Sequence, residues 1–148
     1  MDRPSKYILN DAGEPEPVGD SMADIVRWGT WYADADRSVG DVTIPVGDKS
    51  LRVSTVFLGS DHGYSWGLGD PILWETMVFL QSDPPPHPGK GDGSWTDHYC
   101  NRYSSREAAQ TNHARLVEYL MSKVGDGASV PTDETLAAWF ADYEEAGE

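Results

Sequence analysis

The chain has a single cysteine, Cys100, among its 148 residues. An intrachain disulfide is therefore impossible and a thiolate-rich zinc site is excluded, which suits a reducing compartment. Basic residues are also scarce. Eleven Lys and Arg stand against 25 Asp and Glu, a formal net charge of -14. Such a field repels phosphate backbones and argues against direct nucleic-acid binding. No apolar run approaches the ~18 residues that a membrane-crossing helix needs. The opening MDRPSKYILN lacks the apolar core of a signal peptide, so a cytoplasmic location and no membrane partner are expected. Three catalytic signatures are missing as well: a G-x-S-x-G elbow, an H-E-x-x-H pair and a phosphate loop of the G-x-x-x-x-G-K-S/T kind. The run GKGDG does not supply the last of these. There is no internal repeat.

Apolar residues make up 39%, with six Trp and seven Tyr, which is enough to build a core rather than a disordered chain. The length suits one domain spanning residues 1–148. Charge is distributed unevenly. Eight acids lie between Asp11 and Asp41 against Arg27 and Arg37, and seven follow Lys123 with no base. The acidic ends are expected to form one or two faces, which either serve solubility alone or attract a basic partner.

Segment 10–19, NDAGEPEPVG, reads as a loop. A helix follows, capped by Ser21 with Asp24 three residues on. Met22, Ile25, Val26, Gly29 and Tyr32 form its apolar stripe, flanked by Trp28 and Trp31, and the aromatics are expected to pack in the core. Strands are expected over 39–46, with Pro45 marking an edge, and over 51–60, after a GDKS turn. PILWETMVFLQ reads as a central strand, apolar on both faces except at Glu75 and Thr76. SDPPPHPGKGDGS, residues 82–94, is expected to be a mobile Pro/Gly-rich loop. WTDHYCNRYS is the fourth strand. The next helix has capping-box spacing at Ser104 and Glu107, with a stripe of Ala109, His113, Leu116, Val117, Leu120 and Val124, and Gly125 ends it. The acidic C-terminal segment 126–148 carries a last helix capped by Thr132, with Leu136, Phe140 and Tyr143 inward and Trp139 beside them. This order predicts an α+β fold, an antiparallel sheet of about four strands with helices on one face.

The candidates for chemistry centre on residues 61–75. Asp61 and His62 sit in a glycine-rich loop where both could reach a bound ion, and a His beside a carboxylate has a tunable pKa. The alternative is an Asx turn at Asp61 with His62 at a strand end. Glu75, a carboxylate in an apolar strand, needs a partner such as Arg52, Arg102 or a histidine. His113 lies on an apolar helix stripe, where a hydrogen-bonded core histidine is the commoner role. If His62, His98, His113 and Glu75 converge, they make a mixed nitrogen and oxygen site fit for a metal. No metal motif matches this spacing, and no cofactor is expected. Cys100 beside His98 in one strand is a poor nucleophile–base pair. Tyr64, Trp66, Trp74 and Trp95 are candidate contact residues, with Trp66 the most exposed.

VSTVFLGSDHGYSWGLGDPILWETMVF and NRYSSREAAQTNHARLV together resemble a group of small proteins encoded by tailed bacteriophages and prophages. The shared features are Leu58-Gly59, Asp61-His62, Trp74-Glu75-Thr76-Met77, Tyr103-Ser104, Glu107-Ala108 and His113. The opening SKYILN and the Trp-rich helix are similar too. The likeness spans most of residues 5–124. The segment 82–94 and the acidic tail after Gly125 depart from it. The resemblance implies a phage origin and no particular reaction.

The reading is an acidic phage accessory protein, a binder more than an enzyme, acting in the host bacterial cytoplasm. It would bind a host protein stoichiometrically, as a host-takeover or anti-defence inhibitor, and DNA mimicry is one form this could take. The rival is a small-molecule or metal-binding protein or hydrolase using Asp61, His62, Glu75 and His113. A third reading is a virion component. Nothing in the sequence fixes the oligomeric state.

Overall fold

Strand β4 (Lys49–Phe57) shows how the sheet acquires two different faces. Leu51, Val53, Thr55 and Phe57 are buried, while Arg52, Ser54 and Val56 between them are not, the period of two that a strand imposes. A computed structural model describes residues 5–61, 70–82, 97–125 and 129–146. Strands β3 (Ser38–Val46), β4, β5 (Trp74–Ser82) and β6 (Asp97–Tyr103) pair antiparallel in sequence order. Helices α2 (Arg106–Val124) and α3 (Asp133–Ala146) pack on the face that carries Leu51, Val53, Val78, Leu80 and Tyr99. The fold is α+β, as the order of apolar runs predicts.

Local chemistry sets the ends of these elements. The β3–β4 turn is two residues long, Gly47-Asp48, with Gly47 at φ 61°. That left-handed backbone suits a tight hairpin turn and favours glycine. Ser105, not Ser104, caps α2, and its Oγ accepts from the Ala108 N–H at 3.1 Å. The expected capping box thus shifts by one residue and loses its glutamate partner. Thr132 caps α3 as expected, accepting from the Thr135 N–H at 3.1 Å. The inward stripe of α2 is Ala109, Leu116, Leu120 and Val124, and that of α3 is Leu136, Phe140 and Tyr143.

Two expectations are corrected. First, the segment 10–19 is not simply a loop. Strands β1 (Lys6–Leu9) and β2 (Pro15–Val18) form a hairpin. Asn10 closes it, with Oδ1 accepting from the Ala12 and Glu14 N–H groups at 2.9 and 3.0 Å. Among the described residues β2 pairs with β1 alone, so Pro15 and Pro17 can occupy it without breaking a second ladder. Second, helix α1 (Met22–Asp34) is turned over relative to its expected stripe. Ser21 caps it, accepting from Asp24 N–H at 3.1 Å, but no residue of the helix is buried. Met22, Ile25 and Val26 face outward, 76%, 41% and 60% exposed.

The flanking tryptophans hold α1 in place instead. Trp28 Nε1 donates to the carbonyls of Tyr7 and Gly59, at 3.1 and 2.9 Å, and its ring stacks on Tyr32. Trp31 meets Phe57 edge-on, 5.9 Å between centroids. An indole N–H needs a partner when covered, and here the hairpin and the end of β4 supply it. Gly59, at φ 76°, lets this contact close, since a Cβ there would lie 3.1 Å from the Tyr32 ring. A second core cluster forms around it from Tyr7, Phe57, Leu73, Trp74, Tyr103 and Ala109.

Of residues 82–94, all but Ser82 lie outside the described residues, and so do His62, Tyr64, Trp66 and Trp95.

Candidate functional site

The sheet separates the residues expected to converge. β5 is paired with β4 so that Thr76 faces Thr55 and Glu75 faces Val56. Thr55 and Thr76 are fully buried under α2, so Glu75 lies on the opposite face. There its carboxylate accepts from Arg102 Nε at 2.8 Å and from Cys100 Sγ at 3.5 Å. The Glu75 side chain is only 12% exposed. The partner that a carboxylate in an apolar strand needs is therefore the cross-strand Arg102, one of the cations the sequence offered. Arg52 pairs instead with Asp41, 2.7 Å away, and this bond raises the guanidinium pKa.

Asp61 sits elsewhere. Its Oδ1 accepts from Ile72 N–H at 2.9 Å, and its own N–H donates to Ser5 O at 2.9 Å. It thus clamps the two ends of the glycine-rich loop and ties the loop to the chain before β1. Trp74 is 2% exposed, edge-on to Phe57 at 5.4 Å. As a core residue it cannot serve as the contact residue that its aromatic character suggested. His98 belongs to β6 at a bulge, where Val78 pairs with Tyr99 and Phe79 with Asp97, so that His98 is the extra residue. Its side chain lies outside the described residues. Among the described residues, no three His, Cys, Asp or Glu side chains group closely enough to hold a metal ion.

His113 does occupy a polar centre. Its Nδ1 lies 2.8 Å from Thr55 Oγ1, which lies 2.6 Å from Thr76 Oγ1. Asn112, the neighbour of His113 on α2, donates from Nδ2 to the hydroxyls of Tyr103 and of Tyr99, the latter at 3.2 Å. Its Oδ1 accepts from the Tyr143 hydroxyl at 2.6 Å. Between sheet and helices there is thus a short polar chain from His113 through Thr55 to Thr76, and a hub of Tyr99, Tyr103 and Tyr143 around Asn112. Every member named has a partner, as buried polar groups require.

Two conditions make this chain possible. One is Gly40, which pairs with Thr55 just after a bulge in β3. A Cβ at that position would collide with the His113 ring, so the imidazole reaches Thr55 only because residue 40 is glycine. The other is burial. It lowers the pKa of His113 from 6.5, an effect partly opposed by the charge of Asp41. It also raises the pKa values of Tyr103 and Tyr143. At neutral pH all are uncharged, so the chain connects neutral groups.

Two signals for this network stood in the sequence. Thr55 and Thr76 are polar residues in apolar strand runs, and a His on an apolar helix stripe needs such a partner. Asn112 and the inward direction of Tyr99 and Tyr103 depended on strand register, which composition does not give.

Compared with protein-family models, with curated proteins and with solved structures, the chain matches none. Among the described residues, no helix is long and apolar enough to cross a membrane.

Proposed function

We propose that the protein acts by stoichiometric binding to another protein, through the outward face of α1. The observation that carries this is the exposure of Met22, Ile25 and Val26 on one face of a helix held from behind by Trp28 and Trp31. Gly29 and Ala33 continue that face at helical spacing, and a Cβ on Gly29 would meet open space. Burying a side chain such as Met, Ile or Val is worth about 1.5–3 kcal/mol, so an outward apolar stripe is a reserve of binding energy.

The chemistry of the partner follows from charge. Exposed Asp20, Asp34 and Asp36 stand at the two ends of the helix, and Asp11, Glu14 and Glu16 line the neighbouring hairpin. Glu16 is paired with Arg27, which leaves the acids in excess. An apolar stripe inside an acidic rim complements an apolar groove bordered by Lys and Arg. The resemblance to tailed-phage proteins supports a host bacterial protein as that partner, and a host-takeover or anti-defence inhibitor as the role. A basic site that normally holds DNA is one surface of this kind.

The test is native mass spectrometry of tagged protein recovered from bacterial lysate, run in parallel on wild type and on Met22→Asp/Val26→Asp. The reading expects a 1:1 or other fixed-ratio complex with a protein that has a basic surface, lost in the variant. A complex retained by the variant, or a partner with an acidic contact surface, would overturn it.

A further inference from the structure

On the inward side of β6, Tyr99 and Tyr103 are buried but Asn101 between them is exposed. The helix cover is therefore incomplete at that point. The opening is a cleft of about 480 Å³ between β6, α2 and α3, with the Asn112 hub at its floor. This feature is independent of the α1 face.

Three properties of the cleft bear on what it can hold. Its floor is preorganised. One carboxamide bonds three tyrosine hydroxyls, using both its donors and its acceptor, so their positions are fixed before any ligand arrives. Its rim balances charge. Arg115 and Glu144 both line it, one cation and one anion, in a chain whose field otherwise repels anions. Its donors and acceptors are mixed. The Asn101 oxygen takes the Arg102 N–H at 2.9 Å, which leaves the NH2 as a donor beside the Arg115 guanidinium, with the Glu144 carboxylate as acceptor. A carboxylate ligand would be repelled by Glu144 and by the whole molecule. An ammonium ligand would be drawn by Glu144 and the field of the molecule but repelled by Arg115 at the rim. A ligand without net charge that both donates and accepts at several points meets no such penalty. The volume lies within the range of small-molecule sites.

We infer that this cleft binds an uncharged polyhydroxylated small molecule of about monosaccharide size. Its hydroxyls would bond Asn101, Arg115 and Glu144 at the rim and reach the tyrosine hydroxyls at the floor.

The experiment titrates full-length protein with D-glucose, D-ribose and N-acetyl-D-glucosamine, with acetate and ethanolamine as charged controls. It follows the side-chain amide signals of Asn101 and Asn112 by NMR. Saturable shifts with at least one sugar are expected. Affinity for that sugar should fall about tenfold in Asn101→Ala and in Arg115→Ala, each of which removes the hydrogen-bonding group of an exposed residue. It should be unchanged in Met22→Asp/Val26→Asp, which separates this inference from the reading of α1. No saturable shift with any of the three sugars would overturn the proposal. So would tighter binding of acetate or ethanolamine, or sugar binding indifferent to both cleft variants.

Discussion

His113 and Gly40 show how one side chain and one missing side chain can define an interior. The imidazole is held neutral by burial, and its proton balance links it to folding. In the unfolded chain it titrates near 6.5, while in the fold its pKa is lower. Below 6.5 the unfolded chain takes up the proton first, so stability falls as pH drops from 6.5 toward the folded value. Denaturant titrations between pH 7.5 and 5 should show this loss, and His113→Gln should flatten its part of the curve. Gly40→Ala is expected to cost about 1–3 kcal/mol, since the new methyl group overlaps the ring. In a His113→Ala background the same change should cost far less. Equal costs in both backgrounds would mean that the ring is not what the glycine accommodates. A polar role for His113 could be read from its place on an apolar stripe, but its partners could not. Nothing in VGDVTIPV marks Gly40 as the residue opposite Thr55, because that pairing depends on a bulge.

At the scale of elements, periodicity located the helices and the four sheet strands, and it failed where two stripes competed. In α1 both the Met22–Ile25–Val26 stripe and the Trp28–Trp31 pair have helical spacing. Hydrophobicity alone favoured the aliphatic side as the buried one. The tryptophans prevail because they bring large ring area and an N–H that the hairpin carbonyls can satisfy. Trp28→Phe should therefore destabilise by about 1 kcal/mol through loss of those bonds. Amide exchange should rise first in residues 6–18, the hairpin that Trp28 anchors. Met22→Asp and Val26→Asp should each change stability by no more than about 0.5 kcal/mol, since both side chains are already in water. A large loss would place that stripe in a core after all. The hairpin itself was hidden by Pro15 and Pro17, which read as breakers and are tolerated only because β2 is an edge. The pairing of Glu75 with Arg102 could be named from residue types. Its side of the sheet could not, because β5 is apolar on both faces.

For the molecule as a whole, charge and shape act together. The acids gather on the hairpin and α1 and again on α3, which carries Asp133, Glu134, Asp142, Glu144 and Glu145. A complex with a basic partner should weaken as salt rises from about 0.1 M to about 1 M, while the Debye length falls from about 10 Å to about 3 Å. The apolar contribution of α1 should persist at high salt, so the loss should level off rather than run to completion. Composition made the acidic field legible from the start, and with it the sign of charge proposed for a partner. The exposed aliphatic stripe on which the proposal rests became legible only once the helix was seen to turn that side outward. The most direct measurement is a binding isotherm for the captured partner, using purified wild type and Met22→Asp/Val26→Asp at equal salt. The double substitution should weaken affinity by at least about tenfold while leaving the protein folded, if α1 is the contact surface. Equal affinity in the two proteins would contradict it.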